Sequence, residues 1–190
     1  MQTIRTFIAV TLSKSIRAQT LQLGRVLKQS DASVKWVDVD QLHVTLKFLG
    51  DVLNTKVPSI CSAVKVAASC CPPFEVGCQG AGAFPKNDRP RTVWAGIGPG
   101  SEELGTLYEA IESELVAIGV PAERRRFHPH VTLGRVRQGG AAQQRLGELI
   151  QSAGDFETDL CPVREVTVFA SFLDKSGPTY DVLGRATLGG

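Results

Sequence analysis

Two stretches of this chain, LHVTLKFLG at Leu42 to Gly50 and PHVTLGRV at Pro129 to Val136, share one four-residue setting: His, Val, Thr, Leu. Their histidines, His43 and His130, stand 87 positions apart, and the chain has only 3 histidines. A second echo lies upstream of each, RTFIA at Arg5 and RTVWA at Arg91. Two copies of this length make a tandem repeat too long for a solenoid unit. The repeat predicts two similar α+β lobes related by an approximate two-fold axis, a single bilobed domain whose halves run roughly 1–86 and 87–190.

The residues around the motifs support that reading. TIRTFIAVTL (Thr3 to Leu12) is β-branched and aromatic, as a strand requires. Ser13 stands where it would cap a helix bearing Ile16, Leu21, Leu23, Val26 and Leu27. The stretch leading through His43 is extended at both ends with an Asp-Gln break between. A helix over Val57 to Ala68 and a Gly-interrupted strand over Phe74 to Phe84 follow, then a polar, Pro-bracketed loop, PKNDRPR. The order then recurs: a strand from Thr92 to Gly98, a helix from Glu102 to Ile118 closed by Gly119 and Pro121, and a strand over HPHVTLGRV. A helix over Ala141 to Gln151, a strand over Val163 to Leu173, and a turn with a last strand in GPTYDVLGRATL complete it.

Composition excludes several function classes. Apolar residues at 43% and charged residues at 21% are ordinary for a globular protein, and a net charge of +2 gives no field for bulk nucleic-acid binding. Any such contact needs a local patch, and Arg124, Arg125 and Arg126, which run into the second motif, are the candidate, with Arg135 and Arg137 beyond it. No apolar run approaches the roughly 18 residues of a membrane helix, and the N-terminus lacks signal-peptide character. Five cysteines, two of them adjacent at Cys70 and Cys71, with no CxxC pair, read as reduced thiols of a cytoplasmic protein.

On a strand, residues i and i+2 share a face. His43 therefore projects with Thr45, and His130 with Thr132, while Val44, Leu46, Val131 and Leu133 turn to the core. Strands set side by side across a two-fold would present two imidazoles and two hydroxyls to one cleft. Imidazole exchanges protons near neutrality, so one ring could activate water while the other protonates a leaving oxygen at phosphorus. The threonines and Arg135 could hold phosphate oxygens. Strand parity alone turns Arg135, five residues past His130, to the opposite face unless Gly134 allows a bulge. A single His-x-Thr is more often a packed structural pair; its recurrence is what weighs against that. With three histidines and no acidic residue beside either motif, a metal site would be hard to complete, and His128 reads as a rim residue.

The motif pair resembles the signatures of the two-histidine (2H) phosphoesterase superfamily, and LHVTLKFLG and FHPHVTLGR are similar to those of its RNA 2′,3′-cyclic phosphodiesterase, or 2′-5′ RNA ligase, branch. IRTFIAV, RTVWAGI and SFLDKSGPTYDVL look like that branch's usual framing, so the likeness spans nearly the whole chain. It implies a bilobed α+β fold with outer helices around a central cleft, and no metal or organic cofactor. The implied reaction opens 2′,3′-cyclic phosphate RNA ends to 2′-phosphates, with reversible 2′-5′ ligation, and tRNA fragments are among the candidate substrates. Carried over, the acid–base pair is His43 and His130, with Thr45, Thr132 and Arg135 on the phosphate and Arg124 to Arg126 as RNA contacts. The arginines beside His130 favour its neutral form and hence the base role. A monomer with no membrane partner is expected. Two other readings stay open: a phosphodiesterase for small nucleotides such as ADP-ribose cyclic phosphate, and a non-catalytic domain that binds phosphate-ended RNA.

Overall fold

The computed structural model describes residues 2–173 and 177–189. Asp174 to Ser176, within the closing stretch SFLDKSGPTYDVL, lie outside the described residues. The chain runs β1 (Thr3–Thr11), α1 (Lys14–Lys28), β2 (Val34–Trp36), β3 (His43–Leu53), α2 (Val57–Ser69), β4 (Phe74–Val76) and β5 (Cys78–Phe84). It continues through β6 (Thr92–Ile97), α3 (Ser101–Ala117), β7 (His130–Val136), α4 (Ala141–Ser152), β8 (Cys161–Val163), β9 (Glu165–Leu173) and β10 (Pro178–Thr187).

The boundary residues act as their chemistry requires. The Ser13 hydroxyl oxygen accepts the Ile16 N–H at 3.2 Å, satisfying one of the amides that begin α1. Gly119 adopts φ 85°, which lets Val120 N–H donate to the Leu115 carbonyl at 3.0 Å and close α3. Three expected strands prove shorter or divided. The Phe74 to Phe84 segment breaks at Gly77, because β4 pairs with β8 while β5 pairs with β6. The Val163 to Leu173 segment breaks at Arg164, 87 positions on, for the equivalent reason. The second motif is a strand only from His130, since Pro129 has no N–H to give a ladder.

The large sheet has the order β10-β9-β1-β3-β7-β6-β5, and β2 also pairs with β7. β3 and β7 meet antiparallel at Val44 and Val131, and β4 and β8 at Glu75 and Pro162. Both pairs are 87 positions apart, so in each a residue faces its own repeat equivalent. The two-fold axis passes through these two contacts. On either side of it the halves interlock: β5, from the first, lies beside β6, and β9, from the second, lies beside β1. A short loop joins β5 to β6, and neighbours in sequence tend to pair. Symmetry then sends β9 to β1. Each spatial lobe is thus built from both sequence halves.

The helices cover the sheet face that carries Val44 and Val131. Ile16, Leu23 and Leu27 of α1, Ile60 and Val64 of α2, Leu104, Leu107, Ile111 and Leu115 of α3, and Leu146 and Ile150 of α4 recur at helical spacing and are buried. They join Ile8, Val10, Val44 and Val131 in one core, where each large aliphatic contributes about 1.5–3 kcal/mol. The opposite face of the central strands is left for the polar residues of the two motifs. Among the described residues no helix is long and apolar enough to cross a membrane, and the five cysteines are all free thiols.

Candidate active site

β3 and β7 show the same burial along their first seven residues: His and Thr half-buried, Val and Leu buried, then a buried residue and an exposed one. Each strand carries a bulge straight after its threonine. Thr45 faces Ala9 and Lys47 faces Ile8, so Leu46 is the extra residue. Thr132 faces Trp94 and Gly134 faces Val93, so Leu133 is its counterpart. The bulge resets strand parity. Phe48 and Arg135, 87 positions apart, consequently come out on the histidine side and are exposed. Arg135 is there in electrostatic effect as well, since its guanidinium disfavours a proton on His130 and favours ionisation of Tyr180. Simple alternation had put Arg135 on the other face.

Both imidazoles are held in the same way. His43 Nδ1 lies 2.6 Å from the Gln41 carbonyl oxygen, and His130 Nδ1 lies 2.7 Å from that of His128. A carbonyl only accepts, so Nδ1 carries the hydrogen in both rings and Nε2 is the nitrogen left for chemistry. The Thr45 hydroxyl is 3.0 Å from His43 Nε2 and donates to it when the ring is neutral. His43 stacks on Phe7 at 5.1 Å between centroids and meets Tyr180 edge-on at 5.6 Å. His130 meets Phe84 edge-on at 5.1 Å and has Trp94 at 6.0 Å.

Burial is the main cause that lowers the pKa of each histidine. The carbonyl partners oppose it in both rings, by favouring the charged form. A charge on His130 further disfavours one on His43, while His128 and Arg135 do the same to His130. The two rings therefore sense each other across the β3–β7 seam. With burial as the largest cause and no carboxylate among the causes, both rest neutral near neutrality.

The structure brings His43, Thr45, His130, Thr132 and Arg135 to one side of the sheet. It adds residues that the sequence reading passed over: Tyr180, Phe7, Trp94, Phe84 and Lys35. Lys35 stands opposite Arg135 in the β2–β7 register, so both side chains leave on one face. Phe7, Trp94 and Tyr180 carry a signal, since they lie within the framing stretches IRTFIAV, RTVWAGI and SFLDKSGPTYDVL; Phe84 and Lys35 carry none. The carbonyls that pin the histidines were visible in principle, because Gln41 and His128 are also 87 apart. His128 is exposed, 4.9 Å from the Trp94 ring, and forms part of the wall by its carbonyl and ring. Arg124, Arg125 and Arg126 are all exposed. Glu123 accepts from the Arg125 side chain at 3.1 and 3.2 Å and from the Arg124 and Arg125 amides, which holds its carboxyl at about 2. Among the described residues, no three of His, Cys, Asp and Glu gather where they could hold a metal ion.

This pattern of strands and paired motifs has close counterparts. The model of the LigT-like phosphoesterase family matches the chain twice, over residues 10–94 and 97–180. A protein of Methanothermobacter thermautotrophicus named RNA 2′,3′-cyclic phosphodiesterase is 36% identical over 93% of this chain and 95% of its own. One of the same name from Aeropyrum pernix is 35% identical over 85% and 93%. Among solved structures, TT0787 of Thermus thermophilus superposes with a TM-score of 0.80 at 26% identity, covering 98% of this chain and 99% of that one. LigT of Escherichia coli, solved in complex with 3′-AMP, gives 0.74 at 26% identity with the same coverage. With both halves matched and the bilobed α+β fold in common, the chain belongs to the LigT-like phosphoesterase family, whose paired histidine motifs define the 2H phosphoesterases.

Proposed function

We propose that this chain is an RNA 2′,3′-cyclic phosphodiesterase that opens cyclic phosphate ends to 2′-phosphates, with His43 and His130 as its acid–base pair. One observation carries the reading: two imidazoles on strands that meet at a two-fold axis, each with Nδ1 given to the carbonyl two residues upstream and Nε2 left for proton transfer. The names of the relatives from Methanothermobacter and Aeropyrum support the substrate class. The doubled family match and the contacts between residues 87 apart support a single domain built by tandem repetition of halves 1–86 and 87–190.

In this mechanism His130 Nε2 takes a proton from water as the water oxygen bonds to phosphorus. The P–O3′ bond breaks, and protonated His43 gives its proton to the departing 3′-oxygen. The product carries a 2′-phosphate and a free 3′-hydroxyl. His128 and Arg135 favour the neutral form of His130, which supports its role as base. The bound phosphodiester anion raises both histidine pKa values and restores the proton on His43. Thr45, Thr132 and Arg135 hold the non-bridging oxygens as their charge grows. An RNA 5′-hydroxyl in place of water gives the 2′-5′ linkage by the same transfers. Five free thiols support work in a reducing compartment, the cytoplasm.

Incubation with an oligonucleotide ending in a 2′,3′-cyclic phosphate tests the proposal, with the new end identified. Conversion to a 2′-phosphate is expected. No turnover, or a 3′-phosphate end, overturns it.

A further inference from the structure

Phe84, at the end of β5, reaches His130 on one side and lies 5.3 Å from Trp94 on another, with 36% of its surface exposed. Beyond its ring a cleft of about 790 Å³ opens, lined by Phe84, Lys86, Asp88, Arg89, Arg91 and Thr92. Neither His43 nor His130 lines it. It joins the candidate active site at two points: Phe84 beside His130, and Thr92, which faces Arg135 in register. It is an open groove whose volume lies in the range of clefts that bind small organic ligands. Three cations and one carboxylate give it as much net positive charge as the entire chain carries.

The loop that carries these cations is built to hold its shape. Asn87 Oδ1 accepts the Ala83 N–H at 2.8 Å, Arg91 N–H donates to the Phe84 carbonyl at 2.8 Å, and Val136 N–H donates to the Arg91 carbonyl at 2.9 Å. Gln143 Nε2 of α4 donates to the Pro90 carbonyl at 2.8 Å, and Pro90 is buried. α4 approaches so closely at Gly147 that an added Cβ would stand 2.4 Å from the Asn87 carbonyl oxygen. A loop backbone held in advance presents its cations to an anionic strand with less loss of conformational entropy.

We propose that this cleft seats the single-stranded RNA next to the reacting end, with its phosphodiesters on Lys86, Arg89 and Arg91 and a base against Phe84. Single-strand sites elsewhere combine the same two parts, a basic track and an aromatic ring that stacks bases without regard to sequence. The inference rests on the catalytic reading above and adds what would make the enzyme prefer an oligonucleotide to a lone nucleotide. Arg124 to Arg126 offer the rival path, but Glu123 already occupies Arg125, and the adjacent ring of Phe127 is half-buried and stacked on Tyr108 at 4.4 Å.

The test compares a triple variant, Lys86→Gln, Arg89→Gln and Arg91→Gln, with a double variant, Arg124→Gln and Arg126→Gln. Both act on a cyclic-phosphate oligonucleotide and on 2′,3′-cyclic AMP. The triple variant is expected to lose about tenfold or more in kcat/KM on the oligonucleotide, chiefly through KM, and to keep its rate on 2′,3′-cyclic AMP within about twofold. Its dependence of log kcat/KM on log salt should shallow by roughly 0.7 for each phosphate contact removed, while the double variant stays near the parent slope. Equal losses on both substrates, an unchanged slope, or a slope that shallows only in the double variant overturns the proposal. A parent protein inactive on both substrates sinks the catalytic reading instead. In that case anisotropy with a 2′-phosphate oligonucleotide decides the cleft: weaker binding by the triple variant upholds it, and equal binding ends it.

Discussion

Val44 faces Val131 across the β3–β7 seam, so a residue and its repeat equivalent meet on the two-fold axis. His43 and His130 each precede one of these valines, and the axis therefore runs between the two imidazoles. Sharing one phosphorus, they are expected to fail together. His43→Ala and His130→Ala should each lower kcat/KM by about 10²- to 10⁴-fold or more. The double variant should lose far less than the product of the single losses, because residues acting as a unit are not additive. The parent pH profile should be bell-shaped, and each single variant should lose one limb. A folded, fully active single variant would falsify the shared site.

Thr45→Ala and Thr132→Ala should be milder, since each removes one hydrogen bond and leaves both proton transfers. Arg135→Ala should raise KM on oligonucleotide and mononucleotide alike, because the bulge at Leu133 brings it out on the histidine side of the sheet, where the proposed mechanism has it hold the reacting phosphate. A strand of regular alternation would predict no such effect, so steady-state kinetics on Arg135→Ala reads the bulge directly.

Metal removal should leave the rate unchanged. Proton transfer by imidazole needs no Lewis acid, and the described residues form no cluster of three metal-binding side chains. Turnover in EDTA is the measurement. Activity that is lost there and restored by Zn²⁺, Mn²⁺ or Mg²⁺ would count against the mechanism.

Stability should fall in mild acid. Both histidines have folded pKa values below the ordinary value of about 6.5, chiefly through burial. The unfolded chain thus binds more protons as pH drops through 6.5, and the folded state loses stability towards the lowered values. Above 6.5 both states hold neutral rings and the effect vanishes. Urea denaturation at pH 5.5 and 7.5 should show this difference in the parent. It should be smaller in the His43→Asn, His130→Asn double variant, and an equal difference in the two proteins would refute the assignment to these rings.

Lys47, on β3 just past its bulge, is buried with its ammonium on Glu112 of α3 and 3.1 Å from the Pro121 carbonyl. Glu112 also accepts the Glu123 N–H at 3.1 Å, so the pair ties β3 to the loop that leads into His130. Lys47→Ala strands a nearly buried carboxylate and should cost about 3–5 kcal/mol in chemical denaturation. Lys47→Met combined with Glu112→Leu should recover most of that loss. A cost below about 1 kcal/mol for the single change would mark the pair as solvated.

Local spacing in the sequence was enough to specify much of this protein. Alternation along β3 and β7 assigns His43, Thr45, His130 and Thr132 to one face and Val44, Leu46, Val131 and Leu133 to the core, and both hold in the structure. The Ser13 cap, the Gly119 stop and most of the helical stripes are likewise read within a turn or two of chain, although Val26, counted in the α1 stripe, is exposed because the buried face runs through Ile16, Thr20, Leu23 and Leu27. What the tertiary structure decided depends on pairing between distant segments. The exchange of β5 and β9, the side on which Arg135 emerges, the approach of Tyr180 and Lys35, and the buried Lys47–Glu112 tie all follow from which strands and helices come to lie together. The bulge at Leu133 is one such product of pairing. Two residues oppose one only once the partner strand is in place, so the parity of every residue after it is set by the sheet and not by the chain.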